Sequence, residues 1–428
     1  MSLRRLFPAG FLGVLLLIGH TSLQADNWPS WRGPTNNGLC TEHRFPVKWS
    51  PTEHVAWKLD LPGQAGATPV VWDDRIFLTS VDSEGRLLLM AVSTEGKEVW
   101  RRTLAVGNKV VRGDEGNSAS PSPVTDGKYV WAMMAQGTLA CFDFNGEEIW
   151  KFNVEERYGK LNIAFGLTSS PVLDDGVLYL QMIHGEGDPK TREACVVALT
   201  AATGQQIWRV DRPSDGEAEN EHSYASPIMY TDSKQKYLLT HGADYIVAHR
   251  LTDGAEIWRC GELNKRAKYD KTLRFVASPA AVPGLIVVPT AKAGPVVALR
   301  PDGHGDITAD KTFRIWEYKR TPDVPSPVIH DGIIYLCMEN GTLTTLNAET
   351  GKDYYTQRFH SHNHRASPVL AGDKLYMTAR DGRVTVVKTG QKFELLAEND
   401  IDEDMSSSPA FSNGTIYLRT FERLWAIR

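Results

Sequence analysis

The sequence predicts an all-β fold, an eight-bladed β-propeller of four-stranded antiparallel blades, from three observations. A Ser/Thr-Pro step occurs eight times, with successive prolines 54, 48, 56, 52, 48, 41 and 41 residues apart. Each step opens a unit of up to four short β-rich runs, a pattern typical of propeller blades of roughly 40–50 residues. The last unit lacks one run, and a matching run precedes the first unit. The steps are Thr68-Pro69, Ser122-Pro123, Ser170-Pro171, Ser226-Pro227, Ser278-Pro279, Ser326-Pro327, Ser367-Pro368 and Ser408-Pro409.

The second unit shows how one blade is expected to form. After its Ser-Pro step, β-rich runs cover residues 129–133, 138–142 and 148–150, with glycine-containing turns between them. Proline fits the start of an inner strand because its missing N–H costs the strand ladder least there. The outer runs of the first four units each end in a tryptophan, four residues after a turn glycine. We expect these indoles to pack one blade against the next.

The eighth unit reaches Arg428 after only three runs. Residues 55–59, ahead of the first unit, form a β-rich run that carries Trp57 at the place of the expected aromatic residue. We therefore predict that this N-terminal strand completes the last blade. Residues 54–428 would then form a closed ring, which removes an exposed sheet edge.

The first 25 residues are typical of a secretory signal peptide. Arg4 and Arg5 precede an apolar stretch at residues 11–18, and a plausible cleavage site lies before Asp26. No cysteine follows at a lipidation position, so we expect a periplasmic or secreted protein that is neither lipidated nor membrane-spanning. Residues 26–53 form a lead segment rich in Trp, Pro and Gly, and we expect its aromatic side chains to anchor it to the outside of the ring.

Composition narrows the classes of partner. The formal net charge of −5 and the absence of a Lys/Arg-rich run argue against nucleic acid. The five cysteines are odd in number and none has metal-like spacing. Cys141 and Cys337 fall within strands and are interpreted as small buried hydrophobic residues. The pairing of Cys40 and Cys260 stays open, and we expect a monomer.

Residues 196–208, with the sequence VVALTAATGQQIW, resemble the PQQ-type β-propeller repeat family. The resemblance covers residues 55–428 and is closest to exported members of the planctomycete type. The family includes quinoprotein dehydrogenases and BamB, a lipoprotein of the outer-membrane β-barrel assembly machinery. Quinoprotein dehydrogenases stack their quinone between a tryptophan and a disulfide of adjacent cysteines, whereas this chain has no adjacent cysteines. It also lacks the acylated cysteine of BamB and shows no alignable calcium set or catalytic aspartate.

The candidate binding residues lie in the long polar connections between blades. Most other turns are minimal, so one face of the ring should be decorated and the other plain, and function concentrates in such loops. Polar residues just before the Ser/Thr-Pro steps should point to the mouth of the central channel and bind a polar or anionic small molecule. The alternative is that they cap strands and bond neighbouring blades. These residues are Asn117, His222, Arg274, Asp323, His364, Arg365 and Asp404.

Two segments suggest metal-binding sites. His360, His362 and His364 alternate, so an extended chain would place them on one face, where they could bind zinc or copper. A solvated loop is the alternative. Residues 302–310 resemble a calcium loop faintly, but they lack the terminal glutamate of an EF-hand and also fit a long hairpin loop.

No nucleophile elbow, zinc-protease motif or phosphate loop is present in the sequence. The leading hypothesis is an exported binding or scaffold propeller without a cofactor, which contacts a protein or a small polar ligand through its loop-rich face. The alternative hypothesis, which the family resemblance implies, is a PQQ-dependent oxidoreductase that uses calcium and acts on an alcohol or a sugar.

Overall fold

The computed structural model describes residues 27–111, 116–185 and 194–428. The predicted signal peptide lies outside the described residues. Eight sheets stand around one axis, and each contains four antiparallel strands ordered from the inner to the outer edge. The prediction of an eight-bladed propeller is confirmed.

The strands of each blade follow the predicted units. From the inner to the outer edge, blade 1 contains Val70–Trp72, Arg75–Val81, Arg86–Ser93 and Glu98–Val106, and blade 2 contains Val124–Thr125, Tyr129–Met133, Thr138–Asp143 and Glu148–Asn153. Blade 3 contains Val172–Asp174, Val177–Met182, Cys195–Thr200 and Gln206–Asp211, and blade 4 contains Ile228–Thr231, Lys236–Gly242, Tyr245–His249 and Glu256–Cys260. Blade 5 contains Ala280–Val282, Leu285–Pro289, Val296–Leu299 and Arg314–Tyr318, and blade 6 contains Val328–His330, Ile333–Cys337, Thr342–Asn347 and Asp353–Arg358. Blade 7 contains Val369–Ala371, Lys374–Thr378, Arg383–Lys388 and Leu395–Asp400, and blade 8 contains Ala410–Ser412, Thr415–Arg419, Arg423–Ile427 and Val55–Asp60.

A few short elements lie outside this pattern. Gly305–Asp306 adds a fifth strand to the outer edge of blade 4, and Leu39–Cys40 pairs in parallel with the inner strand of blade 7. The helical turns are Val154–Tyr158, Ala218–Glu221 and Arg266–Lys268. Among the described residues, no helix combines the length and the hydropathy needed to cross a membrane.

The N-terminal strand closes the ring as predicted. Val55–Asp60 pairs antiparallel with the third strand of blade 8, and Trp57 lies opposite Ala426. The outer strand of the last blade therefore comes from the start of the propeller, so the first and last segments of the ring hold each other. This arrangement also covers the edge that the third strand of blade 8 would otherwise expose.

Indole side chains connect adjacent blades. Trp57, Trp100 and Trp208 each donate their Nε1–H to a backbone carbonyl in a turn of the following blade, at 2.8, 2.9 and 2.8 Å. Trp150 and Trp316 do the same at 2.9 and 3.0 Å. This repeated contact is the blade-to-blade packing that the sequence predicts, and it satisfies a polar group that the packing would otherwise bury.

The lead segment does not lie on the outside of the ring, so that expectation was wrong. Trp28 is fully buried and exchanges backbone hydrogen bonds with Val71 in the inner strand of blade 1. The Pro29 carbonyl accepts a hydrogen bond from the backbone of Thr125 in blade 2, and Trp31 lines the central cavity. The segment therefore enters the axis from the plain face. An eight-bladed ring leaves axial space that this segment occupies.

The five cysteines all lie in described residues, are buried and form no disulfide. Burial raises the pKa of the Cys141 thiol to about 12 and that of Cys260 to about 11. These thiols are therefore protonated at neutral pH. They behave as small hydrophobic residues, as the sequence predicts for Cys141.

Candidate functional site

The Ser/Thr-Pro steps form a ring of hydrogen bonds around the axis. The backbone N–H of Thr68 donates to Ser122 Oγ in the next blade at 2.9 Å, and that of Ser122 donates to Ser170 Oγ at 3.0 Å. Seven such bonds follow one another through these eight described residues, ending with Ser367 N–H and Ser408 Oγ at 2.9 Å. Each N–H precedes its inner strand and so has no ladder partner, and the neighbouring hydroxyl satisfies it.

The same eight side chains line a cavity on the axis of the ring. The cavity has a volume of about 1120 Å³, measured out to its open mouth. The oxygen of each of the seven serine hydroxyls in this ring accepts a backbone hydrogen bond. The hydroxyl hydrogen can still be donated to another group. The lining therefore offers a circle of small hydroxyl groups. Other side chains of the lining include Trp31, Phe165, Tyr224, Arg274, Val276, Val324 and Arg365.

Two of the predicted binding residues, Arg274 and Arg365, line this cavity. Arg274 donates to Glu219 Oε2 at 2.8 Å, and its guanidinium carbon lies 4.7 Å from the centre of the Phe165 ring. The carboxylate and the ring hold this guanidinium in place. Arg365 is partly buried in the connection that leads into blade 7.

A third guanidinium lies beneath the cavity, in the lead segment. Arg32 is 2% exposed and donates to the carbonyls of Asn37, Pro327 and Pro368. The two prolines directly follow serines of the cavity ring. Burial lowers the pKa of Arg32 to about 9, so this side chain still carries its charge at neutral pH. Two arginines therefore line the cavity and a third lies close to its serine ring, although the charge of Arg274 is paired with that of Glu219.

Asn117 and His222 do not line the cavity. The Asn117 amide donates to the carbonyl of Gln64 at 2.7 Å and accepts from the backbone of Ala119 at 2.9 Å. His222 is buried, with Nε2 3.3 Å from the Gly185 carbonyl, and burial lowers its pKa. Both residues match the alternative interpretation, in which polar side chains hold the connections between blades.

Asp323, His364 and Asp404 also lie away from the cavity. Asp323 is buried and forms an ion pair with Lys292 at 3.1 Å. His364 is fully buried, and its Nδ1 lies 3.0 Å from the Thr378 carbonyl. The Asp404 side chain is exposed. Of the seven predicted side chains, the structure brings only the two arginines together at the cavity.

The three alternating histidines do not form one ligand set. His360 Nε2 lies 2.8 Å from one carboxylate oxygen of Asp381, and His362 Nδ1 lies 4.0 Å from the other. His364 instead faces a backbone carbonyl. In the described part of the chain, no group of three or more His, Cys, Asp or Glu side chains is arranged to hold a metal ion. The zinc or copper hypothesis therefore gains no support from this geometry.

The calcium-like segment is the long turn that precedes the outer strand of blade 5. Asp302 pairs with Arg300 at 2.7 Å, and Asp306 accepts from the backbone of Thr308 at 2.9 Å. Asp310 similarly accepts from the backbone of Thr312 at 2.8 Å. The carboxylates thus stabilise their own loop, which agrees with the hairpin-loop alternative.

Sequence reasoning missed the largest part of the cavity. In the sequence, the Ser/Thr-Pro steps mark the start of each blade, and their hydroxyls are not among the predicted binding residues. The sequence did contain a pattern that indicates this ring, since a residue with a hydroxyl group occupies all eight positions. Trp31 carried no such signal, because nothing in its local sequence indicates that the lead segment enters the channel.

A family model described as outer membrane protein assembly factor BamB matches residues 86–261, 145–306 and 306–420. The chain belongs to this family. BamB from Yersinia pestis is 23% identical to it over 297 residues, which are 68% of this chain and 69% of that protein. These matches confirm the resemblance to PQQ-type propellers that residues 196–208 indicate.

Solved structures share the fold of this BamB-like propeller. The crystal structure of BamB from Moraxella catarrhalis matches 87% of this chain and 99% of its own, with a TM-score of 0.61 and 13% identity. A europium-containing methanol dehydrogenase matches 91% of this chain and 88% of its own, with a TM-score of 0.68 and 12% identity. At these identities the likeness establishes the fold alone.

The described residues of this BamB-like chain lack two features of a PQQ site, a set of calcium ligands at the cavity and a stacking disulfide. Calcium requires six to eight oxygen ligands, largely from carboxylates and carbonyls. No acidic side chain is among the described residues that line the axial cavity. The cysteines form no disulfide on which a quinone could stack. We therefore derive no catalytic step through this cofactor.

Proposed function

We propose that this protein is an exported scaffold propeller that binds a partner protein, or a small polar ligand, through its loop-rich face. The supporting observation is the axial cavity, where two guanidinium groups, three aromatic rings and a circle of hydroxyls line one opening. Such a site suits an acidic side chain presented by a partner, or a small carboxylate. Carboxylate and guanidinium pair through charge-assisted hydrogen bonds, and the aromatic rings supply apolar contact.

The relatives favour the protein partner. BamB is described as an outer membrane protein assembly factor, and the family model covers most of the propeller. The connections between blades cluster on one face, as loops that carry binding sites on rigid scaffolds do. We infer that export places this face in the periplasm or outside the cell.

The test compares two charge reversals on opposite faces. Arg365→Glu changes the cavity mouth, and Lys352→Glu changes a turn on the plain face by the same charge. The wild-type chain and both variants are expressed in the native host, cross-linked and purified from its envelope fraction. We expect one protein or bound small molecule to co-purify with the wild type and with Lys352→Glu, and to be lost with Arg365→Glu. Equal recovery from all three chains would contradict the proposal.

A PQQ-dependent oxidoreductase is the second candidate. One observation favours it: an aromatic plane, Trp31, and two guanidiniums share the cavity, and a carboxylated aromatic ring needs both kinds of contact. Purified protein is titrated with PQQ, with and without calcium, and assayed for dye reduction with alcohols and sugars. Saturable binding together with substrate-dependent dye reduction would establish the enzyme. If PQQ leaves protein fluorescence and absorbance unchanged, the scaffold proposal stands alone.

A further inference from the structure

A second cavity opens between blades 4 and 5 on the loop-rich face. We call it the lysine groove. One wall is the connection after the outer strand of blade 4, from Leu263 to Leu273. The other wall combines the turn at residues 291–295 with the end of the outer strand of blade 5. Its volume is about 990 Å³, measured out to its open mouth.

The charge of the lysine groove differs from that of the whole chain. Its described lining contains four lysines and one carboxylate, Glu317, which gives four minus one, or +3. The chain as a whole has a net charge of −5. A local charge of opposite sign on an acidic protein steers acidic partners to that place. The four lysines are Lys265, Lys268, Lys292 and Lys319.

Two of these ammonium groups already hold carboxylates of this chain. Lys265 pairs with Glu317 at 2.7 Å, and Lys292 pairs with Asp323 at 3.1 Å. The rim is thus a place where carboxylates are bound. Among the described residues, neither Lys268 nor Lys319 has a carboxylate within ion-pair distance, and Lys319 Nζ lies 5.6 Å from the centre of the Tyr318 ring. Both side chains are exposed and can take carboxylates from outside.

The floor of the lysine groove is apolar. Leu263, Ala291 and Tyr318 are each less than a tenth exposed, and Leu273 and Pro295 are partly buried beside them. An apolar floor below a cationic rim suits an extended peptide with one apolar side chain between acidic neighbours. A compact inorganic anion would fill only the rim and leave the floor unused.

We propose that the lysine groove docks an acidic segment of a partner protein, with an apolar side chain on Leu263 and Tyr318 and carboxylates on Lys268 and Lys319. This inference rests on the proposed scaffold function and adds the location and the chemistry of the contact. The two lysines stand on opposite walls, so the segment would cross the boundary between blades 4 and 5.

The direct test uses a defined probe. A fluorescein-labelled octapeptide of glutamates with one central leucine is titrated against the purified chain at low and high salt, with fluorescence anisotropy as the readout. We expect saturable binding that weakens with salt, because rim charges are screened. The double variant Lys268→Glu/Lys319→Glu should weaken binding by about tenfold or more. A second peptide, with glutamine for glutamate, should not bind measurably.

The matched control reverses two lysines on the plain face, Lys128→Glu/Lys352→Glu, and so changes the net charge equally. This control should retain peptide binding within about twofold, since the screening length is short. Equal losses of peptide binding in both double variants, or no saturable binding by the wild type, would overturn the proposal that the lysine groove docks an acidic segment.

The outcome is separable from that of the scaffold proposal. If a partner co-purifies with the wild type and equally with Lys268→Glu/Lys319→Glu, the scaffold function stands and the lysine groove is wrong. If the peptide binds through Lys268 and Lys319 but no partner is recovered, the groove is supported while the proposed function fails. Circular dichroism of each variant checks that the exposed substitutions leave the fold intact.

Discussion

The indole of Trp316 in blade 5 lies against the turn glycine Gly351 of blade 6. A Cβ atom at Gly351 would come within 2.6 Å of the indole Cδ2, and the indole Nε1 donates to the Ala348 carbonyl in the same turn at 3.0 Å. The same arrangement joins Trp57 to Gly96. The turn glycine therefore serves two purposes. It adopts a positive φ, and it leaves room for the tryptophan of the preceding blade.

Gly351→Ala should destabilise the propeller more than a positive φ alone explains. The new methyl group would overlap the Trp316 ring and strain the turn, with an expected loss of about 2–4 kcal/mol in the free energy of unfolding. Gly332 is the matched control, because it lies in the same blade at φ 70° against 69° for Gly351, and no heavy atom lies within 4 Å of its added Cβ. Gly332→Ala should cost about 1 kcal/mol. Urea unfolding measures both, and equal losses would contradict the role of the indole.

Ser226→Ala should weaken the hydrogen-bond ring. Ser226 Oγ accepts from the backbone N–H of Ser170 at 2.9 Å, and alanine would leave that buried N–H unpaired. Such a loss is typically about 1–3 kcal/mol. Ser226→Thr should recover most of the stability, because threonine keeps a hydroxyl oxygen that can accept the same hydrogen bond. Thermal unfolding of the two variants decides the matter, and a threonine variant as unstable as alanine would argue against the hydrogen bond.

Sequence patterns were sufficient for the propeller because its repeat is local. In blades 1 to 7 the four strands follow one another in the chain, so turn glycines and β-rich runs reveal the register without long-range information. Even the closure by Trp57 was predictable, since the last unit lacks the strand that the N-terminal run supplies.

The binding residues were harder to predict, because position on the axis depends on the whole ring. Arg274 and Asp323 both precede a Ser-Pro step, yet only Arg274 lines the cavity, whereas the buried Asp323 pairs with Lys292. The path of Trp31 into the channel depends on contacts with blades 1 and 2 that no local pattern encodes.

Acid should destabilise the protein partly through His364. Burial lowers the pKa of this imidazole to about 4, and the nearby His360 acts in the same direction. The unfolded chain would bind a proton at its ordinary pKa near 6.5, so the stability present above pH 6.5 is lost as the pH falls from 6.5 to about 4. One such group contributes a slope of at most about 1.4 kcal/mol per pH unit.

The variant His364→Gln separates this effect from simple loss of packing. Loss of packing would lower its stability by a constant amount at every pH, whereas its stability should depend less on pH between 6.5 and 4 than that of the wild type. Denaturant unfolding at pH 7, 6, 5 and 4 gives the slopes. Parallel curves for the two proteins would remove His364 as a source of acid sensitivity.

Arg32 should hold the lead segment inside the ring. Its guanidinium donates to carbonyls of Asn37 in the lead segment and of Pro327 and Pro368 at the starts of two inner strands. Arg32→Met keeps an unbranched side chain but removes every donor, leaving buried carbonyl oxygens unpaired at an expected cost of about 2–4 kcal/mol. Arg32→Lys retains a charge and up to three donors but not the planar geometry, and should lie between the two. Limited proteolysis reports directly on the segment, because release from the axis exposes the chain before Val55 to cleavage while the blades stay folded. If Arg32→Met and the wild type are cleaved there at the same rate, the anchor must lie elsewhere, and the buried Trp28 is then the side chain to test next.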